Sequence, residues 1–258
     1  MNTNSGPLEG QVALITGAGR GIGRAIAIGY ARAGASIVCV SRTRTEVEET
    51  ALLVCAEGAH AMAAPADVAE FNAMSTLCTA AEKQFGGIDI VVAAAGVALE
   101  NKPVEDSDVE AWRGTIEVNL IGAFCTAKAA IPALKRRGAG KMTFVGSGMG
   151  HRGKPTRSAY AASKAGLHRL VRVLAQELAV SNIAVNELVP GPVLTAFIAG
   201  REAQLRAATG AAAWRGATFR SCLNCYKPPT SDSLTSYFAT TGSPVRSART
   251  RTNASASL

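Results

Sequence analysis

The chain has 258 residues, 48% of them hydrophobic, with 27 Lys and Arg against 19 Asp and Glu, a formal charge of +8. That size and apolar share suffice for one α/β core, and no run of about 18 uninterrupted apolar residues interrupts it, so a single-domain cytoplasmic protein that enters no membrane is expected. The excess charge is concentrated in residues 201–258, with eight Lys and Arg against two Asp and Glu, and no nucleic-acid motif accompanies it; an anionic cofactor suits it better than a nucleic acid.

Val12 to Ile15 form a short apolar run without alternation, the pattern of a parallel strand buried on both faces. Thr16-Gly17-Ala18-Gly19-Arg20-Gly21-Ile22-Gly23 follows, and after it Ile22, Ala25, Ile26, Gly29, Tyr30 and Ala33 recur at helical spacing. A strand, a glycine-rich turn and a helix make a phosphate site. The turn lets a pyrophosphate approach the backbone, and the helix N-terminus offers N–H groups and a positive dipole end. A tight packing turn is the plain alternative, and the flanking elements favour the nucleotide.

Ile37 to Val40 is the second predicted strand, followed by Ser41-Arg42-Thr43-Arg44, basic where an NAD site carries an acid for the ribose 2′-hydroxyl. Arg42 and Arg20 together could grip a 2′-phosphate, so NADP is preferred to NAD; two solvated surface arginines are the alternative. A helix over 47–57, a strand over 59–64, Asp67-Val68, a helix over 71–85 closed by Gly86-Gly87 and a strand over 88–92 come next. The small residues Ala93-Ala94-Ala95-Gly96 then let a ligand approach the sheet edge. This regular alternation predicts an α/β, doubly wound parallel sheet with helices on both faces. Cys39, Cys55, Cys78 and Cys125 fall in apolar segments, where free thiols act as small buried hydrophobes, and a disulfide framework is not expected.

Residues 109–134 read as one long helix with Asn119 in mid-course, a poor helix former that needs a reason. A strand over 140–145 ends at Gly146-Ser147-Gly148, and the loop 151–156 leads to a helix over 158–180. Tyr160 and Lys164 lie four apart on that helix and share a face. An ammonium one turn away favours phenolate and brings a phenol toward acid–base use, and Ser147 could donate to a substrate oxygen. For an isolated Tyr and Lys at this spacing, simple packing is the ordinary reading. A strand over 183–188 and the turn Pro190-Gly191-Pro192 follow.

Taken as an ordered set, these residues resemble the classical short-chain dehydrogenase/reductase family over about residues 8–198. The resemblance rests on the glycine turn at Thr16 to Gly23, Asp67, Asn119, Ser147 thirteen residues before Tyr160, the Tyr160 and Lys164 pair, and the Pro-Gly turn with Thr195 after it. It implies a Rossmann-type sheet of order 3-2-1-4-5-6-7 and a hydride transfer between nicotinamide and a carbonyl or secondary alcohol, with no metal. Tyr160 is then the proton donor and acceptor, Lys164 binds the nicotinamide ribose and lowers the tyrosine pKa, Ser147 orients the carbonyl, and Asn119 holds a water. The implied cofactor contacts are Gly17, Gly19, Arg20, Gly21, Ile22, Gly23, Ser41, Arg42, Asp67, Val68, Ala94, Ala95, Gly96, Pro190, Gly191, Val193 and Thr195, besides Tyr160 and Lys164. The turn and active-site loop are most similar to those of 3-oxoacyl-carrier-protein reductases, and family members commonly assemble as homodimers or homotetramers.

The sequence departs from the family pattern twice. Ala93-Ala94-Ala95-Gly96 replaces Asn-Asn-Ala-Gly, so a sheet-bracing amide is missing and weaker cofactor binding is expected. After about residue 209 no helix or closing strand is legible: sixteen of the last fifty residues are Ser or Thr, and no apolar periodicity remains. The expected organisation is a dinucleotide-binding and catalytic domain over 1–208 and a disordered tail over 209–258. Cys222 and Cys225 form a CxxC there without the partners that zinc or redox chemistry requires. Without a normal C-terminus, a catalytically silent NADP-binding protein is the alternative to an NADPH-dependent reductase.

Overall fold

The computed structural model describes residues 6–191 and residue 193. Thr195, the CxxC and the expected tail over 209–258 lie outside them, and so does any closing strand. The described residues fall within one unit, Met1–Leu205.

Six strands form one sheet: β1 Val12–Thr16, β2 Ser36–Ser41, β3 Ala61–Pro65, β4 Ile90–Ala93, β5 Gly140–Val145 and β6 Ile183–Leu188. Their order is β3-β2-β1-β4-β5-β6 and each pairing is parallel, so the chain winds outward in both directions from the gap between β1 and β4. Parallel strands need crossovers, and six helical segments supply them: α1 Gly21–Arg32, α2 Arg44–Ala56, α3 Phe71–Phe85, α4 Val109–Ile116, α5 Gly122–Arg136 and α6 Ser158–Ala179.

Alternation along each strand divides the interior into two cores. Val12, Leu14, Val38, Val40, Val91, Met142 and Phe144 face α3, α5 and α6, whose Met74, Leu77, Ala130, Leu134, Leu167 and Leu174 pack on them. Ala13, Ile15, Ile37, Cys39, Ile90 and Val92 face the other way, against Ile26, Ala27 and Ala31 of α1 and Val47 and Val54 of α2. A strand with apolar residues at both parities can only lie between two helical layers, which is why the continuous runs read correctly as buried parallel strands.

Several expectations need correction. The second helix starts at Arg44, earlier than the apolar positions indicate, because its exposed first turn is held by ion pairs such as Arg44 to Glu48 rather than by burial. The third strand runs over Ala61–Pro65 and the fourth over Ile90–Ala93, each shifted toward the C-terminal edge of the sheet by its register with β2 or β1. Cys39, Cys78 and Cys125 are buried but Cys55 is exposed, on the outer face of α2; all four are free thiols. Burial pushes the Cys39 and Cys78 thiols up to about 12, so neither is a nucleophile at neutral pH.

The predicted long helix over 109–134 is continuous to Arg136 but changes character midway: Glu117–Ile121 is a π-helical turn between α4 and α5, with Asn119 at its centre. Half of its most apolar stretch is buried inside the protein, as befits a core helix.

Candidate active site

The strand order reverses between β1 and β4, and the loops at the carboxyl edge of the sheet after β1, β4, β5 and β6 carry predicted site residues. At β1 the turn from Gly17 to Arg20 opens α1, whose N-terminus has no side-chain cap and no acid in its first turn. Gly17 has φ +66, and a Cβ there would lie 2.8 Å from the Ala95 backbone; at Gly19 a Cβ would meet Ser41 Oγ at 2.8 Å. Gly17 therefore has to be glycine, and a side chain at Gly19 would displace Ser41 and Glu46. The carbonyls of the turn are tied back from outside: Thr50 Oγ1 donates to Ala18 O at 2.9 Å, and Arg24 Nε donates to Gly19 O at 2.9 Å. Ala18 N–H donates to Val40 O at 3.0 Å, while the uncapped dipole end of α1, where Gly21, Ile22 and Gly23 are the first helical residues, suits an anion.

The residues expected to choose the cofactor lie at the ends of β2 and β3, with Arg20 in the turn after β1. Ser41 Oγ donates to Thr43 O at 3.2 Å. Arg42 is 58% exposed and lies 3.7 Å from Asp67, and Arg20, 69% exposed, lies 3.5 Å from Glu46. Each guanidinium group thus already has a carboxylate beside it. Asp67 Oδ1 also accepts from Ala69 N at 3.0 Å, and Val68 is buried in the core beneath.

The bracing amide expected to be missing from Ala93-Ala94-Ala95-Gly96 is replaced by two other groups. Thr16 Oγ1 accepts from Ala94 N at 3.2 Å and from Ala95 N at 3.3 Å. Asn119, 1% exposed, accepts from Val97 N at 2.7 Å and donates to Val97 O at 2.9 Å and to Ser163 Oγ at 3.0 Å. The π turn explains the Asn in mid-helix: its side chain spans β4, α5 and α6 with every polar atom used, and the irregular turn aims it there. Gly96 lies in the same crevice, where a Cβ would come 3.3 Å from Asn119 Oδ1 and 3.6 Å from Lys164 Nζ. Thr16, which opens the glycine motif, and Ser163, on the helix of Tyr160 and Lys164, receive no role from the sequence; both are small hydroxyl residues with bonding partners more than 40 positions away.

Ser147, Tyr160 and Lys164 come together as the spacing implied. Ser147 follows β5, accepts from Met149 N at 3.3 Å and hydrogen-bonds the Tyr160 hydroxyl. Lys164 is 4% exposed, its Nζ donates to Val145 O at 2.7 Å, and it stands 5.8 Å from the Tyr160 ring centroid. One expectation is reversed. Tyr160 is pushed up by burial, which outweighs the lowering by its Ser147 hydrogen bond. Burial also pulls Lys164 down to about 8, partly offset by the negative charge of Glu187. Pro190, Gly191 and Val193 follow β6 at the same edge, partly exposed or exposed.

Residues 11–206 match the family model described as short chain dehydrogenase. The chain belongs to the short-chain dehydrogenase family. It is 38% identical to D-beta-hydroxybutyrate dehydrogenase of Rhizobium meliloti (strain 1021) over 193 residues, 73% of each chain. Among solved structures it resembles a 3-ketoacyl-ACP reductase from Sinorhizobium meliloti 1021, at 42% identity and a TM-score of 0.67 over 70% of this chain and 71% of that one. It also resembles carveol dehydrogenase from Mycobacterium avium in complex with NAD, at 32% identity and a TM-score of 0.73 over 75% and 74%. Family membership makes this chain a nicotinamide-dependent oxidoreductase acting on alcohols and ketones, and the uncapped α1 terminus and glycine turn fit the dinucleotide that such a reaction requires.

The buried lysine makes a prediction about stability. Its pKa in the folded chain lies below the ordinary value of 10.5, at about 8, so the unfolded chain binds more protons between those values. Stability from this group therefore rises with pH across that window, and the charge penalty is fully present below it. Lys164→Met should raise stability relative to wild type more at pH 7 than at pH 10.5, as read from thermal midpoints at both. A difference that does not change with pH would contradict the buried cationic state.

Proposed function

We propose that the protein is an NADPH-dependent reductase of carbonyl compounds, with 3-oxoacyl groups as the substrate class to test first. Tyr160 carries the reading: its hydroxyl is hydrogen-bonded to Ser147 and lies one helical turn from a buried ammonium, at the edge where a nucleotide fits. A nicotinamide dinucleotide bound at the glycine turn would supply the hydride. Tyr160 donates its proton to the oxygen of the ketone as that carbon is reduced, and its raised pKa keeps the proton in place until then. Ser147 holds the same oxygen by a hydrogen bond, which fixes the carbonyl in the plane of attack. Lys164 places positive charge under the tyrosine, so phenolate formation is less costly than burial alone would make it. Asn119, through Val97 and Ser163, holds the loop and the helix that position these groups.

Two relatives support the 3-oxo class, since hydroxybutyrate in the beta form and 3-ketoacyl groups share a 3-hydroxy/3-oxo carbon. NADPH is favoured by the basic residues after β2. The ion pairs of Arg42 with Asp67 and Arg20 with Glu46 are exposed and contribute about 0 to 1 kcal/mol each. A 2′-phosphate offers hydrogen bonds to charged groups of about 1.5 to 3 kcal/mol, so it wins the competition for the guanidinium groups.

Three measurements test these points. Tyr160→Phe should lose about 100- to 10,000-fold in turnover of 3-oxoacyl thioesters and simple ketones while still binding the cofactor, seen as nucleotide fluorescence. Wild-type protein that binds NADPH but turns over nothing in that panel would instead establish a silent nucleotide-binding protein. Arg42→Gln removes the charge without setting a second carboxylate beside Asp67, and should shift the NADPH to NADH ratio of kcat/KM by roughly ten- to a hundredfold toward NADH. An unchanged ratio refutes the NADP assignment. We further propose a homodimer or homotetramer formed through α4, the π turn, α5 and α6, where Val109, Ile121, Phe124 and Val173 are exposed. Sedimentation showing only monomer at micromolar concentration would overturn this.

A further inference from the structure

Three side chains meet behind the hydride site and take no part in it. His151 caps the short turn Gly148–Gly150 after Ser147, His168 lies one helical turn beyond Lys164 on α6, and Glu187 stands on β6. Their ligand-capable atoms all lie within 4.8 Å of one another, and among the described residues no other three His, Cys, Asp or Glu meet in this way. His168 Nδ1 is 2.6 Å from Glu187 Oε2, and the two imidazole rings meet edge to face with centroids 4.5 Å apart. The Glu187 side chain is 10% exposed, yet its Oε1 has no hydrogen-bond partner. That oxygen lies against Gly146, where there is no room for a side chain. The neighbouring Lys164 ammonium, which could have answered it, is hydrogen-bonded to Val145 O. The charge of Lys164 acts on Glu187 through space, but Oε1 itself has no donor, and a buried polar atom left in this way calls for a partner.

We propose that His151, His168 and Glu187 form a binding site for a divalent transition metal of the zinc class. Two imidazole nitrogens and one carboxylate oxygen are a donor set that zinc accepts, whereas magnesium and calcium prefer oxygen throughout. Metal–ligand bonds of about 2.0 to 2.2 Å in a tetrahedron set donors roughly 3.3 Å apart. The separations here, from 2.6 Å to no more than 4.8 Å, bracket that value. His151 is exposed on a turn and can swing to close the longer gap. The ion neutralises Glu187 and replaces the hydrogen bond between it and His168. It also ties the segment that follows Ser147 to α6 and β6, so it acts as a clamp on the site and takes no part in the hydride transfer.

Cobalt(II) is the probe, titrated into the untagged full chain under reducing conditions and followed by visible absorption. The expected result is one equivalent bound with the d–d bands of a four-coordinate nitrogen and oxygen site, displaced by zinc. His151→Ala, on an exposed turn where folding does not depend on it, and Glu187→Gln, which keeps the side chain's shape, should each weaken binding at least tenfold. Zinc should raise the thermal midpoint of the wild type and leave that of His151→Ala unmoved. Absorption no stronger than that of the aqueous ion overturns the proposal. A spectrum dominated by thiolate charge transfer assigns the metal to cysteine instead, and undiminished binding by His151→Ala does the same for any other site.

Discussion

One buried ammonium organises this molecule. Lys164 is almost wholly removed from water, and the hydrogen bond from its Nζ to Val145 O joins the middle of α6 to the carboxyl end of β5. A cation in that position demands a fixed set of neighbours, because any loss of contact leaves charge uncompensated in a medium that solvates it poorly. Gly96, with no side chain, lets the loop after β4 pass within reach of the ammonium. Glu187 supplies the opposing charge from β6. Three adjacent strands are therefore tied at their carboxyl edges by one side chain, and Tyr160, one turn earlier on the same helix, takes its place from that bond.

A second constraint works alongside it from the other face of the crevice. Asn119 spends its whole carboxamide on Val97 and Ser163, joining the loop after β4 to α6 through the π turn. Thr16 fastens the start of the same loop to the end of β1. These bonds are buried or partly buried, so each broken one leaves a polar group without water, which makes the arrangement stiff where the reacting groups must be held. By contrast Arg20 and Arg42 are exposed, and each is held only by an ion pair, to Glu46 and to the half-buried Asp67.

Much of this was legible in the sequence, for a plain physical reason. The two-sided apolar strands, the glycine turn and the helical spacing of Tyr160 and Lys164 are local patterns, and local sterics and periodicity are sufficient to read them. The strand over 140–145 and the helices from 71 and from 158 begin where the pattern says they do. Other features depend on partners distant in the chain. The raised pKa of Tyr160 follows from its burial, which tertiary packing decides and the four-residue spacing does not record. The exposure of Cys55 depends on which side of α2 the sheet lies.

What the sequence determined by itself is thus the α/β architecture and the glycine turn between β1 and α1, since each is encoded by residues near one another in the chain. Only the tertiary structure decided how the alanine-rich loop is braced without the expected amide, why an asparagine interrupts a helix, and that His151, His168 and Glu187 share one small space. Those outcomes arise from side chains on different elements meeting at the edge of a twisted parallel sheet. No pattern along the chain records such a meeting, because it is fixed by the register of strands and the packing of crossovers.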